Sequence, residues 1–331
     1  MLSRVTGTRQ GESRMRHFML LLMLGLCSAV QAMAQEAFPS RTITLIAAYP
    51  PGGNTDLMAR AIQPELSRAL GQTVVVVNRG GAAGTIGSAE LARARPDGYT
   101  IAISPNNPLT AQPHAIPLSY SMDSFRFLCL VYDNPQVVIL GRGAPFQDFQ
   151  GLITHGRSGR EALVYGAPGS ASTQHILMAS LLRKADIEAL MVSFTGAGPM
   201  SQAALGGQIM AFVEASSIAA STGLTPIAVV GRNRLPHLPS TPTTAELGYP
   251  VQGTSHGGLI APVGIPEAAA QAIERACETA VGSEAFRATA QRLASVPSFL
   301  PGVQFRERFA AESDANRALL RDLGLAREGL R

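Results

Sequence analysis

The sequence predicts an α/β protein of two lobes. Three observations predict it. Strands and helices alternate along the first part of the chain in the order βαβαβ. The alternation resumes in the second part. The strands are continuous β-branched runs rather than alternating ones, as in sheets covered on both faces. With 331 residues, 46% of them hydrophobic, the chain can build about two domains.

Thr42–Ala48 reads as a buried strand, followed by the loop Tyr49-Pro-Pro-Gly-Gly-Asn-Thr-Asp56. Leu57, Ala61, Ile62, Leu66, Ala69 and Leu70 then recur at helical spacing. Asn54 or Thr55 is expected to cap this helix, Pro64 to kink it and Gly71 to end it. Thr73–Val77 is the next strand. Gly80-Gly-Ala-Ala-Gly84 leads into a helix ending near Arg95, Pro96-Asp-Gly-Tyr99 is a turn, and Thr100–Ser104 is a strand. A βαβαβ order makes a right-handed parallel sheet. In the second part, strands are expected at 162–165, 190–194, 209–213, 227–230 and 258–261. Ser172 or Thr173 should cap a helix running to Lys184, and a short helix should span 198–205. Helices over 266–281, 283–294 and 305–323 close the chain.

Residues 1–34 read as an export signal. Arg14, Arg16 and His17 precede the apolar run Phe18–Cys27, and Ala32-Met-Ala34 supplies a cleavage site. The run is too short to span a bilayer, and Leu26 is too large for the position before a lipidated Cys27. Met1 and Met15 are both possible starts. The mature protein is expected in the periplasm. Its two cysteines, Cys129 and Cys277, are expected as buried free thiols, although that compartment permits a disulfide.

The net charge of +4 comes mostly from the leader, which carries +3; the remainder is nearly neutral. That excludes an electrostatic case for nucleic acid. The absence of Trp argues against an aromatic stacking platform. No cofactor and no metal are expected, because the chain has no P-loop, no G-x-G-x-x-G, no C-x-x-C and no His pair at ligand spacing. Gly253-Thr-Ser255-His-Gly257 matches G-x-S-x-G, but Pro250 precedes it, strand-like residues follow it, and no His follows His256. A nucleophile elbow needs a strand before it and a helix after it. The chain is therefore not expected to be an enzyme.

Three loops each open a helix: Pro50–Thr55, Gly166–Thr173 and Thr195–Pro199. Each places small residues, hydroxyls and free N–H groups at a helix N-terminus, where anions are favoured. In open α/β sheets, ligands bind beside the carboxyl ends of the strands, where these loops lie. Two such lobes can hold a small carboxylate without Arg or metal. Asp56 reads as a capping or dipole residue rather than a ligand contact. His175 is open between packing, a lobe-to-lobe hydrogen bond and ligand contact. Glu214 ends a strand at the cleft, where its carboxylate either binds an amine or hydroxyl or bonds the opposite lobe.

Tyr49–Asp56, Ala59-Arg60, Leu70-Gly-Gln72, Val75–Arg79, Gly84-Thr-Ile-Gly87 and Pro96–Tyr99 resemble the extracytoplasmic solute receptors of the tripartite tricarboxylate transporter family, also called Bug receptors. Later matches are Gly169-Ser170 with His175, Thr195-Gly196 with Pro199, Leu205-Gly-Gly207, Leu238–Pro242 with Glu246, and Gly258–Pro262 with Gly264 and Pro266. The resemblance implies a periplasmic-binding-protein fold, with two lobes, each a mainly parallel sheet flanked by helices, and a ligand cleft between them. It implies capture of a small carboxylate by lobe closure, then delivery to a membrane transporter or signalling to a sensor. A monomer is expected. The ligand contacts implied fall on Gly52, Gly53, Asn54, Thr55, Ser170, Ala171, Ser172, Thr173, Thr195, Gly196, Ala197 and Gly198; Tyr49, Asn106 and Glu214 complete the expected set. The chain departs from the family at Glu214-Ala215, where Asp and a polar residue are usual. It also departs at Gln202-Ala-Ala204, at His256 in place of an aromatic, and at Asn106-Asn107 in place of one Asn. The first lobe is expected to hold 36–138 and 253–331, and the second 139–252.

Overall fold

The structure, a computed structural model, describes residues 38–327, and the expected export signal with Cys27 lies outside them. In chain order the first elements are β1 (Ile43–Ala47), α1 (Asn54–Leu70), β2 (Val74–Asn78), α2 (Thr85–Ala92), β3 (Thr100–Pro105), α3 (Asn107–Thr110), α4 (Gln112–Ala115) and β4 (Phe125–Leu140). Next come α5 (Phe149–Ser158), β5 (Leu163–Ala167), α6 (Thr173–Lys184), β6 (Ala189–Ser193), α7 (Ala197–Leu205), β7 (Ala211–Ala215), α8 (Ser216–Thr222) and β8 (Pro226–Val229). The chain ends with β9 (Thr254–Pro262), α9 (Glu267–Gly282), α10 (Glu284–Arg292), β10 (Pro297–Pro301) and α11 (Gly302–Asp322).

The strands pair in the order β2-β1-β3-β9-β4-β7-β5-β6, with β8 and β10 also on β4. Parallel pairing holds for β2-β1-β3 and for β7-β5-β6, the βαβ units predicted above. Every pair involving β4 or β9 is antiparallel, so the sheet is mixed. Strand β4 changes partners partway along. Residues 125–135 pair with β9, and residues 136–140 pair with β7. Sequence patterning places no element between 104 and 162 and therefore misses this strand. Asp133-Asn-Pro135 sits in its middle as a turn signal, and its pairing with β9 shifts register twice.

Each half of the strand array has its own core. Phe127, Phe305 and Phe309 meet edge to face, with centroids 4.7–5.5 Å apart, and pack with Ile46, Leu91 and Ile260. In the other half Val138, Leu163, Tyr165, Met178, Leu181 and Val213 form a separate cluster. Helix α1 runs unbroken through Pro64 and ends at Gly71, whose φ of 65° is the left-handed cap that glycine favours. Its N-cap is Gly53, with no side-chain cap bond, so neither Asn54 nor Thr55 has the expected capping role. Helix α6 begins as expected: the Ser172 hydroxyl accepts the His175 N–H.

Cys129 on β4 and Cys277 on α9 form a disulfide across 148 residues of sequence, which corrects the expectation of free thiols. Spacing carries no information here, because the strand and the helix meet only through tertiary packing. No helix among the described residues is long and apolar enough to cross a membrane.

Candidate functional site

The loop after β1 is built around Asp56. This carboxylate is buried and accepts three hydrogen bonds: from the Gly52 N–H at 3.0 Å, Arg60 Nε at 2.9 Å and Asn78 Nδ2 at 2.8 Å. The Gly52 bond folds the loop back on the first turn of α1. Gly52 sits at φ 81°, a region that only glycine enters freely. Asp56 is thus a buried first-turn carboxylate rather than the cap of α1, and it shapes the loop from inside. Asp56→Ala should lower both the melting temperature and solute affinity. Lost bonds to a buried carboxylate cost about 1.5–3 kcal/mol each at most, which calorimetric melting and titration would measure together.

The loop meets the start of α7. A Cβ on Gly53 would lie 3.6 Å from Ala197 Cβ, one on Gly196 would lie 2.7 Å from Pro50 Cδ, and one on Gly198 would lie 2.7 Å from the Pro51 carbonyl oxygen. Glycines at 196 and 198 therefore let the two loops touch. Leu57, one turn into α1, packs on the apolar cluster of Val137, Met200 and Phe212.

At this junction lies a small cavity of about 20 Å³ lined by Tyr49, Gly53, Asn54, Thr55, Pro105, Asn107, Pro168, Gln174, Ala197, Glu214 and Ser255. Of the residues expected from the sequence, the structure brings Tyr49, Gly53, Asn54, Thr55, Ala197 and Glu214 together here. The first hydrogen bonds of the two helices run from Leu57 N–H to Gly53 and from Met200 N–H to Gly196. The N–H groups before them in each first turn have no acceptor within the helix. Both helix starts therefore offer donors to the cavity.

The other expected residues stand apart from its lining. Gly52, Gly196 and Gly198 shape the two loops from behind. Thr195 and Ser170 are exposed. The Ser170–Thr173 segment is held elsewhere: Gln112 Nε2 donates to the Ser170 carbonyl at 2.8 Å, Ala171 N–H donates to His175 Nδ1 at 3.0 Å, and Ser172 is a cap. His175 thus braces its own loop, and burial lowers its pKa to about 4, so it is neutral. Asn106 turns away from the cavity, bonding Glu312 at 2.6 Å and the Thr254 carbonyl at 3.3 Å and receiving the Thr173 hydroxyl at 3.4 Å. Its neighbour Asn107 lines the cavity instead and accepts the Tyr49 hydroxyl at 2.8 Å. Burial, the largest influence, pushes the Tyr49 phenol far above its usual range.

Pro105, Pro168, Gln174 and Ser255 also line the cavity and are not among the residues expected from the sequence. Ser255 belongs to the G-x-S-x-G match. It sits on β9 with its hydroxyl 3.4 Å from Asn54 Nδ2. His256 follows on the opposite face of the strand, with Nε2 2.9 Å from Glu312 and Nδ1 3.2 Å from the Thr254 hydroxyl. Serine and histidine thus face different partners. Asn54 is fixed from behind as well: its Oδ1 accepts Asn134 Nδ2 at 2.5 Å and the Ser217 hydroxyl at 3.3 Å.

Glu214 is almost fully buried at the cavity edge. It accepts Gln174 Nε2 and the Ala215 N–H, each at 2.9 Å. Desolvation raises its pKa to about 7 against the lowering effect of those bonds. No group of three or more His, Cys, Asp or Glu among the described residues is placed to hold a metal ion.

Comparison with known proteins follows the same lines. Residues 58–325 match the family model described as the tripartite tricarboxylate transporter family receptor. The protein BugT of Bordetella pertussis is 32% identical over 244 residues, 70% of this chain and 74% of that one. The "UPF0065 protein in gbd 5'region" of Cupriavidus necator is 29% identical over 310 residues, 92% and 94% of the two chains. Among solved structures, a periplasmic transporter superposes with a TM-score of 0.83 at 27% identity, covering 88% of this chain and 99% of the other. MatC from Rhodopseudomonas palustris with bound malate superposes with a TM-score of 0.79 at 25% identity, covering 86% and 100%.

Proposed function

The chain belongs to the tripartite tricarboxylate transporter family of receptors, and from that premise we propose that it is a periplasmic receptor that captures a small carboxylate between two lobes and delivers it to a membrane transporter. The observation that carries this reading is the cavity where the starts of α1 and α7 meet. Unpaired N–H groups and the positive ends of two helices favour an anion there, and no Lys, Arg or His lines the cavity. Malate bound to the similar MatC supports the same ligand class. Binding rather than catalysis is further supported by Ser255, a strand residue whose hydroxyl partner is Asn54 instead of a base.

The first lobe is proposed to hold 36–138 and 253–331, and the second 139–252. The change of β4 partners at Pro135 and Gln136 and the start of β9 at Thr254 favour crossovers close to these limits. The contact set comprises the cavity residues above together with the loop residues that position them. A solute that binds across the lobes selects the closed arrangement. The Cys129–Cys277 disulfide and the periplasmic setting of a similar solved structure favour the periplasm.

A thermal-shift screen against dicarboxylates, tricarboxylates, amino acids and aromatic acids tests this. A solute present at a hundred times its Kd should stabilise the protein by about 2.7 kcal/mol, a rise of roughly 5–10 °C. A ligand-free protein, verified by native mass spectrometry, that shifts with no carboxylate would overturn the reading.

A further inference from the structure

The two proposed lobes also meet away from the solute cavity. Ala111, Leu320 and Ala326 of the first lobe and Ala171 and Ile176 of the second form one buried apolar cluster. The aromatic core around Phe305 and the cluster around Leu163, by contrast, each belong to one half. Next in sequence to Ala111, Gln112 on α4 is buried and donates Nε2 to the Ser170 carbonyl of the second lobe at 2.8 Å. Other side-chain bonds cross the same boundary. They run from Ser216 Oγ to the Ala294 carbonyl at 3.0 Å, from Ser217 Oγ to Asn54 Oδ1 at 3.3 Å and from Thr173 Oγ1 to Asn106 Oδ1 at 3.4 Å. The Gln112 bond is the shortest of these four.

The loop that receives Gln112 is shaped for this contact. Gly169, at φ 104°, lies so close to Ala83 of the first lobe that a Cβ on it would come 2.9 Å from the Ala83 Cβ. Ala83 at φ 54° and Ala171 at φ 52° both occupy the left-handed region, which alanine enters only at a cost. The Ala83 carbonyl accepts Asn107 Nδ2 at 3.0 Å, so the ledge on which Gly169 rests is tied to the wall of the solute cavity. Gln112 itself is not part of that wall.

We propose that Gln112 is the latch of lobe closure, a positioning residue that holds the Ser170 loop on the first lobe and sets the ratio of closed to open protein with no solute bound. Every contact of this clasp joins protein groups, so closure does not wait for a solute. When the lobes part, water takes over both Gln112 and the Ser170 carbonyl, and the bond alone shifts the ratio modestly. Burial of the apolar cluster beside it adds to the shift. The latch also fixes the register of closure, because a buried amide without an acceptor is costly. Solute then meets a protein already biased toward capture, and its affinity scales with the closed fraction. The proposal rests on the two-lobe reading and not on the nature of the solute.

The experiment is pulsed dipolar spectroscopy of the solute-free protein, spin-labelled through Leu190→Cys on β6 and Val303→Cys on α11, both exposed positions and one in each proposed lobe. The pairing of Cys129 with Cys277 keeps the labels specific. Two variants are compared with the unmodified latch. Gln112→Met keeps the side-chain length and removes the donor, and Gln112→Glu turns a carboxylate toward the Ser170 carbonyl. With Gln112 in place, the distance of this structure should be populated beside a second, open one. Gln112→Met should lower the closed-to-open ratio by about 2- to 10-fold, and Gln112→Glu by more. Two populations in an unchanged ratio would overturn the latch and leave movable lobes. An open distance alone, with Gln112 in place, would also overturn the latch and not the lobes. The single distance of this structure in all three proteins would overturn both. Should Gln112→Glu fail to fold, Gln112→Met decides.

Discussion

Replacing Gly198 with alanine is expected to leave the protein folded and to weaken solute capture by roughly 5- to 150-fold. The added Cβ would stand 2.7 Å from the Pro51 carbonyl oxygen, a backbone atom that cannot swing aside. Overpacking of this kind costs about 1–3 kcal/mol, which converts to that range of affinity. The cost falls only where the two loops touch. Within its own helix the change is favourable, because alanine is the better helix former by about 1 kcal/mol. Melting of the ligand-free protein should therefore hold or rise while the shift produced by a bound solute shrinks. Gly196→Ala, whose Cβ would meet Pro50 Cδ at 2.7 Å, should behave alike in binding. Full affinity in both variants, measured by calorimetry, would show that capture does not need this contact.

Loss of the Cys129–Cys277 bridge is expected to destabilise the protein more than any single surface change. Both cysteines are fully buried, and the bond closes 148 residues of chain. Loop-closure entropy sets an upper figure of about 5 kcal/mol, with 2–4 typical. A Cys129→Ala, Cys277→Ala variant, or the protein under a strong reductant, should melt on the order of 10 °C lower. The alanine variant should melt at or below the reduced protein, since it also loses the volume of two fully buried sulfur atoms. No change in melting would mean that the packing of β4 on α9 carries the stability alone.

Much of the site is legible in the amino-acid sequence because its pieces are local. A glycine-rich loop ahead of a helix signals its own shape, and Tyr49, Gly53, Asn54, Thr55 and Ala197 all line the cavity. Asp56 is legible as a first-turn carboxylate for the same reason. Asn106 and Asn107 are not separable, because adjacent residues on a turn point to different sides. The direction of each follows from what Glu312 on α11 and Tyr49 after β1 offer it. The Ser170–Thr173 loop reads like the other two, yet Gln112 and His175 tie it down outside the cavity lining.

The sequence by itself determined the α/β class, the βαβ units and the glycine loops. Hydrophobic period and turn chemistry act over a few residues and survive in any context. Tertiary structure alone decided that Cys129 meets Cys277, that β4 runs on through Asp133-Asn-Pro135, and that Gln174 and Glu214 share one cavity wall. Each of these joins residues from distant parts of the chain or overrides a local turn signal. Their free energy comes from packing between elements, and no local pattern records it.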